Sequence, residues 1–440
     1  GIDYLNLNID RSSELTGNMT IAMGDGNDSL GAARFKNSDS IDMGAGDDSI
    51  GIYVTGSSGT PSYASLNMTK LDGGSGTDTL SFGNMETQGS TELTLTHGGA
   101  VNFENIVGSV GDNIIRGDTG ANVLRGNRGT DTIYGGSGDD SLSGSIYWSS
   151  SSDSASDRQR AANDSDDTND NLYGQAGDDL LIGTIGDNIL DGGTGADTIY
   201  SGSGSDMIVI RSGSGGSTVA AADTIADFTD GTDVLGLDGG LQYSNLTIAQ
   251  SGSETVISAG SEYLAVLTGI SASNINYFDF ASMATGNQSF TGTTGDDVFI
   301  GAAGVDTVTT NTGTDIVLTS SGNDVITIDD TGNKTIDGSS GTDSLTISVG
   351  GISSLDGYTF TTSGDYLVLT DASSNVIQYK NIETLTVGSY TYIEDTTNDT
   401  YWNATEKVLY MYDASGWDGT SSLSGFSASS NFAVVGSSGT

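Results

Sequence analysis

A nine-residue period runs through this chain, and few folds accept one. From Gly108 the sequence reads GSVGDNIIR, GDTGANVLR, GNRGTDTIY and GGSGDDSLS; from Gly174 it resumes with GQAGDDLLI, GTIGDNILD, GGTGADTIY and SGSGSDMIV. A second array opens at Gly292 with GTTGDDVFI, GAAGVDTVT, TNTGTDIVL and TSSGNDVIT, and GSSGTDSLT follows at Gly338. Glycine recurs at the fourth place, Asp or Asn at the sixth, and Leu, Ile, Val or Phe at the eighth. Such a short fixed period marks a solenoid, whose units bury their apolar positions only against neighbouring units. A disordered acidic tail has no need of an apolar eighth place, so that position argues against disorder.

The units match GGxGxDxUx, the nonapeptide of calcium-binding parallel β-helices, and in-register copies cover roughly half the chain. The chain resembles the RTX (repeats-in-toxin, hemolysin-type calcium-binding) family of type I-secreted bacterial proteins. The resemblance implies an all-β fold: calcium-bound parallel β-roll or β-helix arrays with flanking β-sandwich-like or solenoid segments. It also implies that each loop gives its sixth-place side chain to an ion, with carbonyls from the preceding Gly-rich residues. Glycine permits the positive-φ turn that such a loop needs. Two nonapeptides make a coil of about 18 residues, so each sixth residue stands above the one two units earlier.

That register predicts specific pairs. The central array offers Asn113–Asp131, Asn122–Asp140, Asp131–Asp170, Asp140–Asp179, Asp170–Asn188, Asp179–Asp197 and Asn188–Asp206. The second offers Asp297–Asp315, Asp306–Asp324 and Asp324–Asp343, and then meets Lys334 at a sixth place, in a unit displaced by one residue. A lysine ammonium in place of an ion and a decayed repeat are both open there. Loop glycines counted with the ligands are Gly136, Gly138, Gly193, Gly195, Gly202 and Gly204. Near the N-terminus MGDGNDSL, MGAGDDSI and GGSGTDTL add Gly24, Gly26, Asp28, Gly44, Gly46, Asp48, Gly74, Gly76 and Asp78. The halves between them (TIA, SID, KLD) keep an inward aliphatic without a good ligand, which predicts a lopsided roll with ions mainly on one side.

Composition fits a metal-site inventory. Against 13 Lys+Arg stand 58 Asp+Glu, a net charge of −45. About a dozen Ca2+ ions, roughly +24, would leave about −21. So acidic a chain repels polyphosphate and anionic lipid, which argues against nucleic acid or a membrane surface as partner. No apolar run approaches the ~18 residues of a membrane-spanning helix. Cysteine is absent and His97 is the single histidine, which leaves an oxygen-bound hard cation as the metal option. HExxH and GxSxG are absent, His97 in LTHGGAVNF reads as a turn, and no catalytic domain is evident; the chain is read as a non-enzyme.

The repeats divide the chain into an irregular N-terminal roll (1–107), a central roll (108–215) with a loop insertion (144–173), a β connector or cap (216–290), a second roll (291–348) and a C-terminal β domain (349–440). The insertion is expected as a flexible surface loop, with an extra cation site or partner contact around Asp164, Asp166 and Asp167 as the alternative; it lacks the Gly and terminal Glu of an EF-hand loop. ADTIADFTDGTDVLGL (222–237) resembles the segment that follows the last repeat in RTX proteins, and FENI (103–106) and KNIETLTVG (380–388) resemble connectors around such repeats. Tyr390, Tyr392, Tyr401, Trp402, Tyr410, Tyr412 and Trp417 are expected as core and strand-face packing, with a self-association or glycan-contact face as the alternative. The uncharged stretch Gly419–Thr440 fits a type I secretion signal by analogy, and the opening Gly-Ile-Asp a processed or trimmed N-terminus. Asn-x-Ser/Thr triplets at Asn18, Asn67 and Asn245 carry little weight.

Two roles follow from the resemblance. One is a secreted structural protein of the cell surface, an S-layer or extracellular filament subunit that folds and self-assembles into sheets or filaments on binding calcium, with a cell-surface polysaccharide as candidate contact. The other is the calcium-binding carrier portion of a larger adhesin, hydrolase or toxin.

Overall fold

A computed structural model describes residues 1–6, 18–35, 37–53, 68–82, 91–145, 169–350, 352, 358–388, 390–395, 400–403, 408–411 and 433–436. Among them the regular structure is strand, interrupted only by three-residue 3-10 turns such as His97–Gly99 and Val219–Ala221. Contacts divide the chain into two compact units, Gly1–Gly239 with Leu246–Asp279, and Gly240–Asn245 with Phe280–Thr440.

In the first unit, strands alternate along the chain between two parallel rows. One row runs Tyr4–Asn6, Ser29–Arg34, Ser49–Tyr53, Thr79–Ser81, Asn105–Val107, Val123–Arg125, Ser141–Ser143, Leu180–Ile182, Thr198–Tyr200 and Asp223–Ile225. The other row begins as Thr20–Ala22, Ser40–Asp42, Lys70–Asp72 and Ala100–Val101. It is taken over by Thr91–Thr94, Asn113–Arg116, Thr132–Ser137, Asn171–Ala176, Ile189–Thr194, Met207–Arg211 and Val234–Asp238. Most of these strands have three residues, too few to hold alone, so the core between the rows has to hold them.

That core is the eighth-place residue repeated. Leu80, Ile106, Leu124, Leu142, Leu181, Ile199 and Ile225 are each buried and in register with the next along one row. Leu93, Ile115, Ile133, Leu172, Leu190, Ile208 and Leu235 do the same in the other. Each such side chain contributes roughly 1.5–3 kcal/mol of burial. The expected inward aliphatics of the N-terminal halves, Ile21, Ile41 and Leu71, are stacked and buried. A meander of Leu246–Ser251, Glu254–Ala259 and Glu262–Leu267 closes one row, its last strand pairing in parallel with Asp223–Ile225. It covers an edge that would otherwise present unpaired main chain.

The second unit repeats the scheme. One row runs Ser289–Thr291, Thr307–Thr310, Val325–Ile328, Ser344–Ile347 and Thr384–Val387; the other runs Val298–Ile300, Asp315–Leu318, Lys334–Asp337 and Val376–Lys380. The roll thus extends beyond residue 348, and the central one beyond 215, because later segments supply strands in register although they lack the nonapeptide. Antiparallel strands then cover both rows: Tyr366–Asp371 and Tyr358–Ser363 on one, Tyr390–Asp395, Thr400–Asn403 and Val408–Met411 on the other. Most of the insertion, with Asp164, Asp166 and Asp167, lies outside the described residues, as do Tyr412, Trp417 and the side chains of the other C-terminal aromatics.

Candidate metal centre

The sixth-place residues form columns that run along the coils. In the first unit the main-chain N–H of Asp28 donates to Asp48 Oδ1, and that of Asp48 to Asp78 Oδ1, both at 2.7 Å. The same contact joins Asn122 to Asp140 (2.8 Å), Asp140 to Asp179 (2.7 Å) and Asp179 to Asp197 (2.8 Å). A second column runs Asn113, Asp131, Asp170, Asn188, Asp206, each N–H donating at 2.7 or 2.8 Å to the next side chain's Oδ1. In the second unit Asp297 donates to Asp315 (3.0 Å), Asp306 to Asp324 and Asp324 to Asp343 (both 2.7 Å). Every pair expected from the two-unit register is therefore brought into direct contact. Of these residues only Asp297 is not buried.

One carboxylate oxygen is thus spent on the neighbouring coil. The other differs by position. Oδ2 of Asp28, Asp48, Asp78, Asp140, Asp179, Asp197, Asp206, Asp324 and Asp343 is buried with no hydrogen-bond donor. A buried anionic oxygen without a donor or cation is costly, and this many in file is what a bound cation would relieve. At Asp297 and Asp306, Oδ2 instead accepts the N–H of Thr293 (2.6 Å) and Ala302 (2.9 Å). At the three asparagines the amide donates: Asn122 Nδ2 to Glu104 O (2.8 Å), Asn113 Nδ2 to Ser109 Oγ (2.9 Å), Asn188 Nδ2 to Gly186 O (3.0 Å). The sixth places that looked alike in sequence are therefore chemically unequal.

The loop glycines follow from the stacking. Gly24, Gly44, Gly74, Gly136, Gly193 and Gly202 at second places, and Gly26, Gly46, Gly76, Gly138, Gly195 and Gly204 at fourth places, all have positive φ. A Cβ on Gly195 would fall 1.9 Å from Gly177 O. First-place glycines make room for the carboxylate itself: a Cβ on Gly192 would fall 2.1 Å from Asp197 Oδ2. Among the described residues no three carboxyl or histidine side chains converge as a metal cluster. The available donor set is one sixth-place carboxylate with main-chain carbonyls of the Gly-rich loops, an all-oxygen set that suits Ca2+. These residues fit the ion.

Packing the carboxyls together shifts their protonation upward. Burial first, then neighbouring carboxylates, raise Asp78, Asp179 and Asp343 to about 6 and Asp140 and Asp206 to about 7 against opposing main-chain donors. Asp197 and Asp223, hydrogen-bonded across one step, are both raised, burial again being the main cause.

Several column members escaped sequence reasoning. Asp78 N–H donates to Glu104 Oε2 (2.7 Å) and Asp343 N–H to Glu383 Oε2 (2.6 Å), so a glutamate continues the column in each unit. Both follow a positive-φ asparagine, Asn102 and Asn381, whose Nδ2 donates to Asp72 (2.7 Å) and Asp337 (2.8 Å). The shared spelling N-F-E-N-I-V and N-I-E-T-L-T was the available signal: a six-residue half-coil in which the longer Glu replaces the Gly-rich loop's Asp. Asp223 and Asp233 carry the two columns onward from Asp197 (3.0 Å) and Asp206 (3.1 Å). Asp39, fully buried, accepts the N–H of Met19 (2.9 Å), so one of the halves read as lacking a ligand does hold a sixth-place carboxylate. His97 is partly buried edge-on to Phe82, 5.4 Å between ring centres, and burial lowers its pKa.

The RTX calcium-binding nonapeptide repeat is matched in four copies, at residues 107–142, 164–199, 173–208 and 285–326. The N-terminal units and the unit at Gly338 lie outside those segments. Among solved structures, the chain is similar to an extracellular lipase from Serratia marcescens, with 16% identity over 47% of this chain and 44% of the lipase and a TM-score of 0.20. It is also similar to a subunit of a mannuronan C5-epimerase from Azotobacter vinelandii, with 20% identity over 40% of this chain and 80% of that one and a TM-score of 0.13. No curated protein matches. Among the described residues no helix is long and apolar enough to cross a membrane.

Proposed function

We propose that this chain, which carries the RTX calcium-binding nonapeptide repeat, is a secreted structural protein of the cell surface that calcium folds and that then assembles into sheets or filaments. The observation that carries the calcium part is the file of buried Oδ2 atoms without donors, Asp140, Asp179 and Asp197 at its centre. A bound Ca2+ supplies positive charge between coils. The chain's own residues do the rest: Oδ1 locks each coil to the one before, the glycines let main chain stack on main chain, and the eighth-place aliphatics close the core.

In a calcium-poor cytosol the columns repel and the rolls stay open; outside the cell, millimolar calcium closes them. At free calcium ten times Kd, each independent site adds about 1.4 kcal/mol, so about a dozen would add on the order of 17 kcal/mol, more than the about 5–15 kcal/mol of a typical domain. A structural role is supported by what the described residues are built from, coils and covering hairpins. A parallel row offers its end strand as a template for another strand, and a second copy of the chain is the occupant proposed here. Light scattering and negative-stain microscopy at micromolar and millimolar calcium test this. Ordered sheets or fibres that disperse on chelation are expected; a calcium-loaded protein that stays monomeric at high concentration would replace this reading with that of a carrier portion.

A further inference from the structure

The carboxylate column of the second unit is broken at one place by a cation. Lys334 occupies the sixth place of DDTGNKTID and stands in register with Asp315 of the preceding coil. The two side chains are 0% and 2% exposed, and Nζ lies 2.8 Å from Asp315 Oδ2. Nζ also donates to the carbonyls of Asn311 (2.8 Å), Gly313 (2.9 Å) and Thr331 (3.4 Å). Asn311, Gly313 and Asp315 are the second, fourth and sixth places of one Gly-rich loop; Thr331 belongs to the next coil. Four oxygens from two successive coils therefore surround one positive charge. A buried ammonium requires such partners, because losing one leaves a charge in a medium that solvates it poorly.

The same loop positions elsewhere lack this charge. Asp324 and Asp343 in this unit, and Asp140, Asp179 and Asp197 in the other, present the corresponding Oδ2 to no donor. A repeat that had merely lost its ligand would place a small or outward-pointing residue here, not a lysine whose ammonium reaches back to the previous loop's carboxylate and two of its carbonyls.

We infer that Lys334 is a tethered cation, its ammonium filling from within the chain the place that calcium takes between other coils. The inference rests on the calcium reading above and adds to it. The step between Asp315–Leu318 and Lys334–Asp337 closes whether or not calcium is present, so this pair of coils keeps its register first and seeds the second roll as calcium rises. It also removes one ion from the count.

The test uses the full chain and two variants, Lys334→Met and Lys334→Asp. Hydrogen exchange of the wild type in EGTA should leave the amides of Asp315–Leu318 and Lys334–Asp337 about tenfold slower than those of Thr307–Thr310, and Lys334→Met should erase the difference. Equilibrium dialysis at saturating calcium should find one more ion on Lys334→Asp than on the wild type. Uniform exchange in the wild type overturns the inference, as does a folded Lys334→Asp with an unchanged ion count. Should either variant fail to fold in calcium, the wild-type exchange pattern decides alone. A wild type that binds no calcium overturns the calcium reading itself; a calcium-binding wild type with uniform exchange overturns only the role of Lys334.

Discussion

Asp179 donates its main-chain N–H to Asp197 Oδ1 at 2.8 Å, while Oδ2 of each carboxylate is buried without a donor. One side chain thus serves as the bolt between coils and as the unmet demand for a cation. On the proposed reading, folding and metal binding meet in a single residue type, so removing the ion should open the structure instead of emptying a preformed site.

Chelation is the first check. EGTA should abolish most of the far-UV strand signal, and restoring millimolar calcium should recover it. An unchanged spectrum would sink the proposed mechanism.

Single columns should matter more than acidic surface. Asp197→Ala strips the acceptor from the buried N–H of Asp179, a loss of about 1–3 kcal/mol, and lowers the calcium content. Asp167→Ala, in the insertion, should leave both within error. Equal melting shifts at fixed calcium would contradict the column.

First-place glycines should be intolerant for a steric reason. Gly192→Ala puts a methyl 2.1 Å from Asp197 Oδ2 and should destabilise on the order of 1–3 kcal/mol. Gly286→Ala, with nothing within 4 Å of the added atom, should be close to neutral. Thermal melts of the two in saturating calcium make the comparison.

The half-coil glutamates should behave as column members. Glu383→Ala leaves the N–H of Asp343 without its acceptor and should cost about 1–3 kcal/mol, with Glu383→Gln recovering much of it. A melting temperature indifferent to Glu383→Ala would remove Glu383 from the column.

Acid should act in opposite directions with and without calcium. The folded carboxyls of Asp140 and Asp206 rise to about 7 from an ordinary 3.8, so the calcium-free roll binds protons that the unfolded chain does not. That stabilisation is full below pH 3.8 and is lost as pH rises through about 7. After calcium has been stripped on a chelating resin, circular dichroism should therefore show more strand at pH 5 than at pH 8. Protons compete for the same oxygens, so the calcium midpoint for folding should rise between pH 8 and pH 6. A calcium-free signal that increases with pH would reverse the assigned sign.

The coil was legible in the amino-acid order. Its period, the positive-φ glycines and the buried eighth place are local properties repeated in register, so the pairing of Asp131 with Asp170 across a long insertion could be read from the letters alone. Which residues complete the columns, and what each oxygen does, emerged only when the coils were stacked. Glu104, Glu383, Asp223 and Asp233 join because their strands add to existing rows, at spacings that differ from the two-unit coil of the repeats. Lys334 could be read as a lost ligand until its ammonium was seen among the oxygens of the preceding loop. The physical reason is the same throughout: a repeat encodes backbone register locally, whereas a donor, a charge or an unsatisfied oxygen is defined only by what the neighbouring coil brings against it.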